Sequence, residues 1–262
     1  MTGSVGSKRR GENVFDWTRP PSHRELKLWQ SIGRPLFRAL FALETHGIER
    51  LPARPPYIIA ANHPSFLEPI LIGAYLPHPP RPMTWDAILG IPVVGCWARR
   101  LGAFPVSLAG GRSVVRAQRT AHAILESGGV LMLFPEGERS RPGGEMRPPH
   151  PGIGLLAAQH GCPIACVSVL GSWNVWPREQ WFLRPGRIKL YFHEPIVLDE
   201  AERAERQRDR AYHVEIARLV HERIGGLVDR VRADPSNRHD TLTMKRVLEL
   251  QQETLGDRAL AH

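Results

Sequence analysis

The chain has 262 residues, with 35 Lys and Arg against 26 Asp and Glu, and a formal net charge of +9. That balance predicts an anionic partner; nucleic acid, an acidic membrane surface and a phosphorylated substrate all qualify. No apolar run approaches the roughly 20 residues of a membrane span, which excludes a transmembrane helix, and a 42% hydrophobic content supports one sizeable core.

Residues 1–23 are rich in Gly, Ser, Pro and charge and read as a disordered basic tail. Lys8-Arg9-Arg10 has no apolar stretch behind it, so no cleaved signal peptide is expected. Residues 24–50 form an amphipathic helical segment. Trp29, Ile32, Leu36, Leu40 and Leu43 recur at spacings of three and four, Phe37 and Phe41 widen the stripe, and Lys27, Arg34 and Arg38 lie off it. Such a segment docks on the domain or lies in a bilayer interface, and the two are compatible. Gly33 and Pro35 predict a kink that divides it into two short helices.

Over residues 51–232 strands and helices alternate, which predicts an α/β domain with a mostly parallel central sheet flanked by helices. Tyr57 to Ala61 is the first strand, a helix follows to about Tyr75, and Pro77, Pro79, Pro80 and Pro82 mark a loop. Short strands are expected at Met83 to Ala87 and Gly102 to Val106, then an amphipathic helix from Arg112 to Glu126. Val130 to Phe134 is apolar throughout, as in a strand buried on both faces. A short helix near Ile153 to His160, strands at Pro163 to Val169 and Arg187 to Phe192, and one long charge-laced helix over 199–232 complete the domain. Residues 233–262 are a C-terminal helical extension that restarts after Pro235, with a helix over Leu242 to Leu255. Cys96, Cys162 and Cys166 are odd in number and lack framework spacing, which predicts reduced thiols and a cytoplasmic compartment. Cys162-x-x-x-Cys166 has no second ligand pair, so no metal site is expected.

Two stretches carry chemistry. In Asn62-His63-Pro64-Ser65-Phe66-Leu67-Glu68, Pro64 suits the first turn of a helix, which would put His63 at the N-cap and Glu68 in the second turn. A five-residue offset on a continuous helix turns two side chains about 140° apart, so they meet only if His63 sits on the non-helical turn. A carboxylate on one imidazole nitrogen fixes the tautomer and leaves the other nitrogen as a base. The alternative is a loop histidine and a solvated first-turn acid favoured by the helix dipole. The second stretch, Pro135-Glu136-Gly137-Glu138-Arg139-Ser140, lies at the carboxyl end of a core strand, where open α/β sheets place their ligand crevice. Phe134 and Pro135 read as core and turn.

With both stretches in hand, the chain resembles the glycerolipid acyltransferase family, which includes the lysophosphatidate acyltransferases. That family carries a histidine, four residues and an acid, then a Phe-Pro-Glu-Gly-x-Arg-Ser block. Ile91-Pro92-Val93-Val94-Gly95 with Leu101 to Val106, and Cys162 to Val167, resemble two further blocks in the right order. The resemblance implies transfer of an acyl group from an acyl-CoA or acyl-carrier-protein thioester to a hydroxyl of a lysolipid acceptor, with no cofactor and no metal. His63 would be the general base and Glu68 its orienting acid. Glu136, Gly137, Arg139 and Ser140 would form the acceptor block, with Arg139 as a planar fork for phosphate. Asn62 or backbone N–H groups would steady the oxyanion. It further implies an anionic membrane surface as partner, no nucleic acid, and a peripheral or monotopic position on the cytoplasmic side.

Three departures stand out. Glu68 replaces the usual aspartate, and Glu138 replaces a small hydroxyl residue. Leu108 stands near the place of an arginine that helps hold the acceptor phosphate, a role Arg112 would take. The alternatives are an inactive family member that binds lipid or acyl-carrier protein, a nucleic-acid binder suggested by charge alone, and thioester hydrolysis with water as acceptor.

Overall fold

Three runs that are almost wholly apolar sit side by side at the middle of the sheet, where both faces are covered. The computed structural model describes residues 22–107, 111–177, 180, 182–235, 237 and 242–259. In chain order, α1 (His23–Phe41) leads to β1 (Glu44–His46), a 3-10 turn over Ile48–Arg50 and β2 (Tyr57–Ala61). Next come α2 (Glu68–Gly73), β3 (Pro80–Trp85), α3 (Asp86–Leu89), α4 (Pro92–Arg100) and β4 (Phe104–Val106). They are followed by α5 (Arg112–Glu126), β5 (Val130–Leu133), a 3-10 turn over Pro142–Gly144, α6 (Gly152–His160) and β6 (Ile164–Leu170). α7 (Ser172–Val175), β7 (Lys189–Phe192), α8 (Glu200–Arg206), α9 (Arg210–Ala233) and α10 (Met244–Ala259) complete the chain.

The seven strands run in the order β1-β7-β6-β2-β5-β3-β4, all parallel pairs except β6 with β7. This is the expected mostly parallel sheet. Side chains of β2, β5 and β6 alternate between two buried layers. Ile58, Ala60, Leu131, Leu133, Ile164 and Cys166 face a core shared with α5, α6 and α9. Tyr57, Ile59, Ala61, Met132, Ala165 and Val167 face the opposite layer, with Phe37 and Phe41 of α1 and Leu71 and Ile72 of α2. Register decides where these strands release the chain. Ala60 pairs with Leu133 and Ala61 with Val167, so the chain leaves β2, β5 and β6 at one edge of the sheet.

The helical segment ends sooner than expected and is not kinked into two. α1 is one helix of 19 residues with Pro35 inside it. Contacts on both sides of the proline hold it: Phe37 and Phe41 are buried, Gln30 donates to Leu76 O at 2.8 Å, and Arg34 donates to Ala74 O at 2.7 Å. Residues 44–46, expected within that segment, pair with β7 and belong to the sheet.

β3 starts at Pro80, inside the expected loop; its prolines occupy alternate positions, 80 and 82, and pair with Val130 and Met132. The long helix over 199–232 is two helices, because Asp209 turns its carboxylate onto Ala211 N at 2.8 Å and caps α9 afresh. α10 packs on α9 and buries Val247 and Leu250. The basic tail over 1–21 and position Leu108 lie outside the described residues.

Candidate active site

Two short loops meet where β2 and β5 end. α2 begins at Glu68, not at Pro64, so His63 lies five residues ahead of the helix and Glu68 is its first residue. Ser65 and Glu68 close the connection just ahead of the helix, whose N-cap is Leu67. The Ser65 hydroxyl accepts from Leu67 N at 3.0 Å, while the Glu68 carboxylate accepts from Ser65 N at 3.1 and 3.0 Å. This fold-back brings the acid to the imidazole. His63 Nδ1 lies 2.8 Å from Glu68 Oε2. With Nδ1–H donating to the carboxylate, Nε2 keeps its lone pair.

Glu68 is fully buried, and its second oxygen is also occupied. Oε1 accepts from Ser65 Oγ and from Ser172 Oγ, each at 2.7 Å. Burial alone would raise this carboxyl; the bond to His63, its charge, and the Ser172 and Ser65 hydroxyls outweigh it and hold the group below its ordinary value. The His63 ring is half-sheltered, stacked on Phe134 with centroids 4.1 Å apart and planes at 19°. Phe134, expected as core, is therefore a wall of the site.

Glu136 does not face outward as an acceptor-binding group would. Oε1 accepts from His63 N and from Ser140 Oγ, each at 2.9 Å, and Oε2 accepts from Arg147 N at 2.8 Å. Burial raises its carboxyl, with the bonds from Arg147, His63 and Ser140 opposing. Ser140 N in turn donates to His63 O at 2.8 Å. Glu136 and Ser140 are thus the joint between the two loops, and both are buried.

Gly137 serves the turn: its φ is +73°, and a Cβ there would come 2.6 Å from the His150 ring. Arg139 does lie at the site, its guanidinium 3.8 Å from the centre of the Phe66 ring, which meets Trp176 edge-on. Glu138 adds less negative charge than expected, since Arg147 Nη1 stands 3.5 Å from its carboxylate.

Two other expected residues stand apart from the His63–Glu68 contact. Asn62 is buried and spends its amide on one partner: Nδ2 donates to Val169 O at 2.9 Å and Oδ1 accepts from Val169 N at 2.7 Å. One of the two Nδ2–H groups is spent on that bond and the other is not. Arg112 opens α5 beyond β4, a strand three places from β2 in the sheet, and its side chain is exposed. Sequence reasoning missed Ser172, which lies 104 residues from Glu68 and has no spacing signal. Ser65 was legible as the start of a Ser-x-x-Glu spacing. The two buried thiols are inert, since burial pushes Cys162 up to about 11 and Cys166 to about 12.

Residues 42–170 match the family model described as Acyltransferase. A chloroplastic 1-acyl-sn-glycerol-3-phosphate acyltransferase of Brassica napus is 28% identical over 72% of this chain and 54% of its own length. The alpha 1-acyl-sn-glycerol-3-phosphate acyltransferase of Mus musculus is 26% identical over 59% of this chain and 54% of its own. The chain therefore spans about half the length of these relatives. The crystal structure of the 1-acyl-sn-glycerophosphate acyltransferase of Thermotoga maritima superposes with a TM-score of 0.65 at 25% identity, covering 80% of each chain.

Proposed function

We propose that the chain, which is similar to glycerolipid acyltransferases through residues 42–170, moves a fatty acyl group from an acyl-CoA or acyl-carrier-protein thioester to a hydroxyl of a lysophospholipid-like acceptor. One observation carries the reading: His63 Nδ1 held 2.8 Å from a buried carboxylate at the carboxyl edge of the sheet. His63 Nε2 takes the acceptor's hydroxyl proton as the oxygen attacks the thioester carbonyl carbon. The C–O bond forms, the C–S bond breaks, and the imidazolium returns the proton to the departing thiolate, so an ester and a free thiol are the products. Glu68 stays ionised and steadies the imidazolium between its carboxylate and the Phe134 ring face. Arg139 offers its planar fork to the acceptor's phosphate.

On the same reading the protein sits on the cytoplasmic face of an anionic membrane, as a peripheral or monotopic protein. Leu28, Ile32, Leu36 and Leu40 form an exposed apolar stripe along α1, with Arg24, Lys27 and Arg38 exposed on the same helix. Among the described residues no helix is long and apolar enough to cross a membrane.

The test is release of free thiol from a long-chain acyl-CoA, and separately from acyl-carrier protein, across a panel of lysolipids. Release that requires a lysolipid and is lost in His63→Ala supports the transferase. Release indifferent to acceptor makes the protein a thioesterase, and no release from either donor makes it an inactive binder.

A further inference from the structure

Ser172 is the first residue of α7, reached through Gly171 at a φ of +86° directly after β6. It is fully buried, 104 residues from Glu68, and its hydroxyl lies 2.7 Å from Glu68 Oε1. The terminal torsion of a glutamate is broad, so the chain alone does not fix the plane of the carboxylate. Ser65 belongs to the same loop as Glu68 and moves with it. Ser172 comes from another element, past the end of a central strand, and ties that plane to the sheet. A glutamate spans both contacts: Oε2 meets His63 while Oε1 meets Ser172. An aspartate carries the same two oxygens about 1.5 Å farther back, so it keeps both partners only if the loop shifts.

We propose that Ser172 is a positioning residue for the His63–Glu68 pair, and that its hydroxyl makes the site require glutamate at position 68. The kinetic part of this inference rests on the acyl-transfer reading above; the structural part does not.

The experiment compares wild type, Ser172→Ala, Glu68→Asp and the double variant. A hydrogen bond to a charged group predicts a kcat lowered roughly tenfold or more in Ser172→Ala, with KM for the thioester changed less than about twofold, because the hydroxyl touches the acid and not the substrate. Glu68→Asp falls by a similar factor. Because Ser172 acts through Glu68, the double variant is no slower than Glu68→Asp, within about twofold. A multiplicative loss, an unchanged kcat in Ser172→Ala, or a Glu68→Asp enzyme as fast as wild type overturns the proposal. Should Ser172→Ala fail to fold, Ser172→Cys takes its place in the same comparison.

A second readout is independent of turnover. Long-range proton–nitrogen spectra, with the His63 signals identified by their loss in His63→Ala, report one Nδ1–H tautomer in wild type and a mixture in Ser172→Ala. An unaltered tautomer in Ser172→Ala refutes the positioning role. If wild type releases no thiol, the acyl-transfer reading fails and these spectra alone judge Ser172.

Discussion

Replacing Asn62 by alanine separates a structural residue from a catalytic one. β2 ends at Ala61 while β6 runs on to Leu170, so Val169 has no strand partner on that side and takes the Asn62 amide instead, at 2.9 and 2.7 Å. Alanine leaves the N–H and the C=O of Val169 unpaired, and each such group costs about 1–3 kcal/mol. A cleft of about 320 Å³ touches both Asn62 and Val169, so water can rehydrate part of the loss. The lower half of the range then applies, about 3 kcal/mol in all. For a domain of this size that lowers the melting temperature by roughly 6–12 °C. Asn62→Asp keeps the acceptor for Val169 N–H but sets an oxygen against Val169 O, and should melt at least as low. Thermal melts followed by circular dichroism, beside steady-state kinetics, decide the matter. A melting temperature unchanged in Asn62→Ala, with kcat down about 10²–10³-fold as for a lost oxyanion donor, would refute the reasoning.

Three other perturbations have outcomes set by the same structure. His122 Nδ1 and His160 Nε2 are 2.8 Å apart between α5 and α6, and burial, then His122, lower the His160 imidazole from its ordinary 6.5, with Glu126 opposing. The unfolded chain then binds more protons just below 6.5, so stability is complete above that pH and falls as the pH drops through the window. His160→Gln should flatten this loss, and melting curves that stay parallel between about pH 7.5 and 5.5 would contradict it. On α6, a Cβ at Gly154 would sit 2.0 Å from His213 O, whereas Gly152 has nothing within 4 Å. Gly154→Ala should cost about 3 kcal/mol or more despite the better helix former, while Gly152→Ala gains up to about 0.5–1 kcal/mol. Urea midpoints shifted in the same direction would sink that contrast. Ile32 and Leu36 are exposed on α1, so Ile32→Glu with Leu36→Glu should leave the melt unchanged and weaken sedimentation with phosphatidylglycerol vesicles about tenfold or more. Equal binding would mean that α1 does not face lipid.

What was legible in the sequence was local. The helix from Arg112 to Glu126 has the bounds that its periodicity predicts, because its apolar positions and the glycines after it agree. The runs at β2 and β5 are apolar on both faces, and β6 is so except for Ser168, as interior strands are. The His63–Glu68 contact was readable from the proline between them, although the helix starts later than the proline suggests, at Glu68, because the Ser65 and Glu68 side chains bond into the turn ahead of it. What could not be read depends on distant partners. That the Asn62 amide also braces Val169, 107 residues on, has no signal in the sequence. The resemblance implied Glu136 as part of the acceptor block; two of its partners are main-chain N–H groups, which a sequence does not display. β1 is three residues long, too short for any alternation to register.

The joint between the two loops has a consequence for mutational tolerance. Of the groups that Glu136 and Ser140 engage across it, three belong to the main chain: His63 N, His63 O and Arg147 N. Every amino acid except proline offers the same N–H, so position 147 is free to vary as far as this joint is concerned, and only proline is barred. Position 136 has no such freedom, because it must present two acceptor oxygens at once to donors on both sides. In a saturation library selected for folding alone, before any demand for activity, position 136 should accept almost nothing and position 147 almost everything.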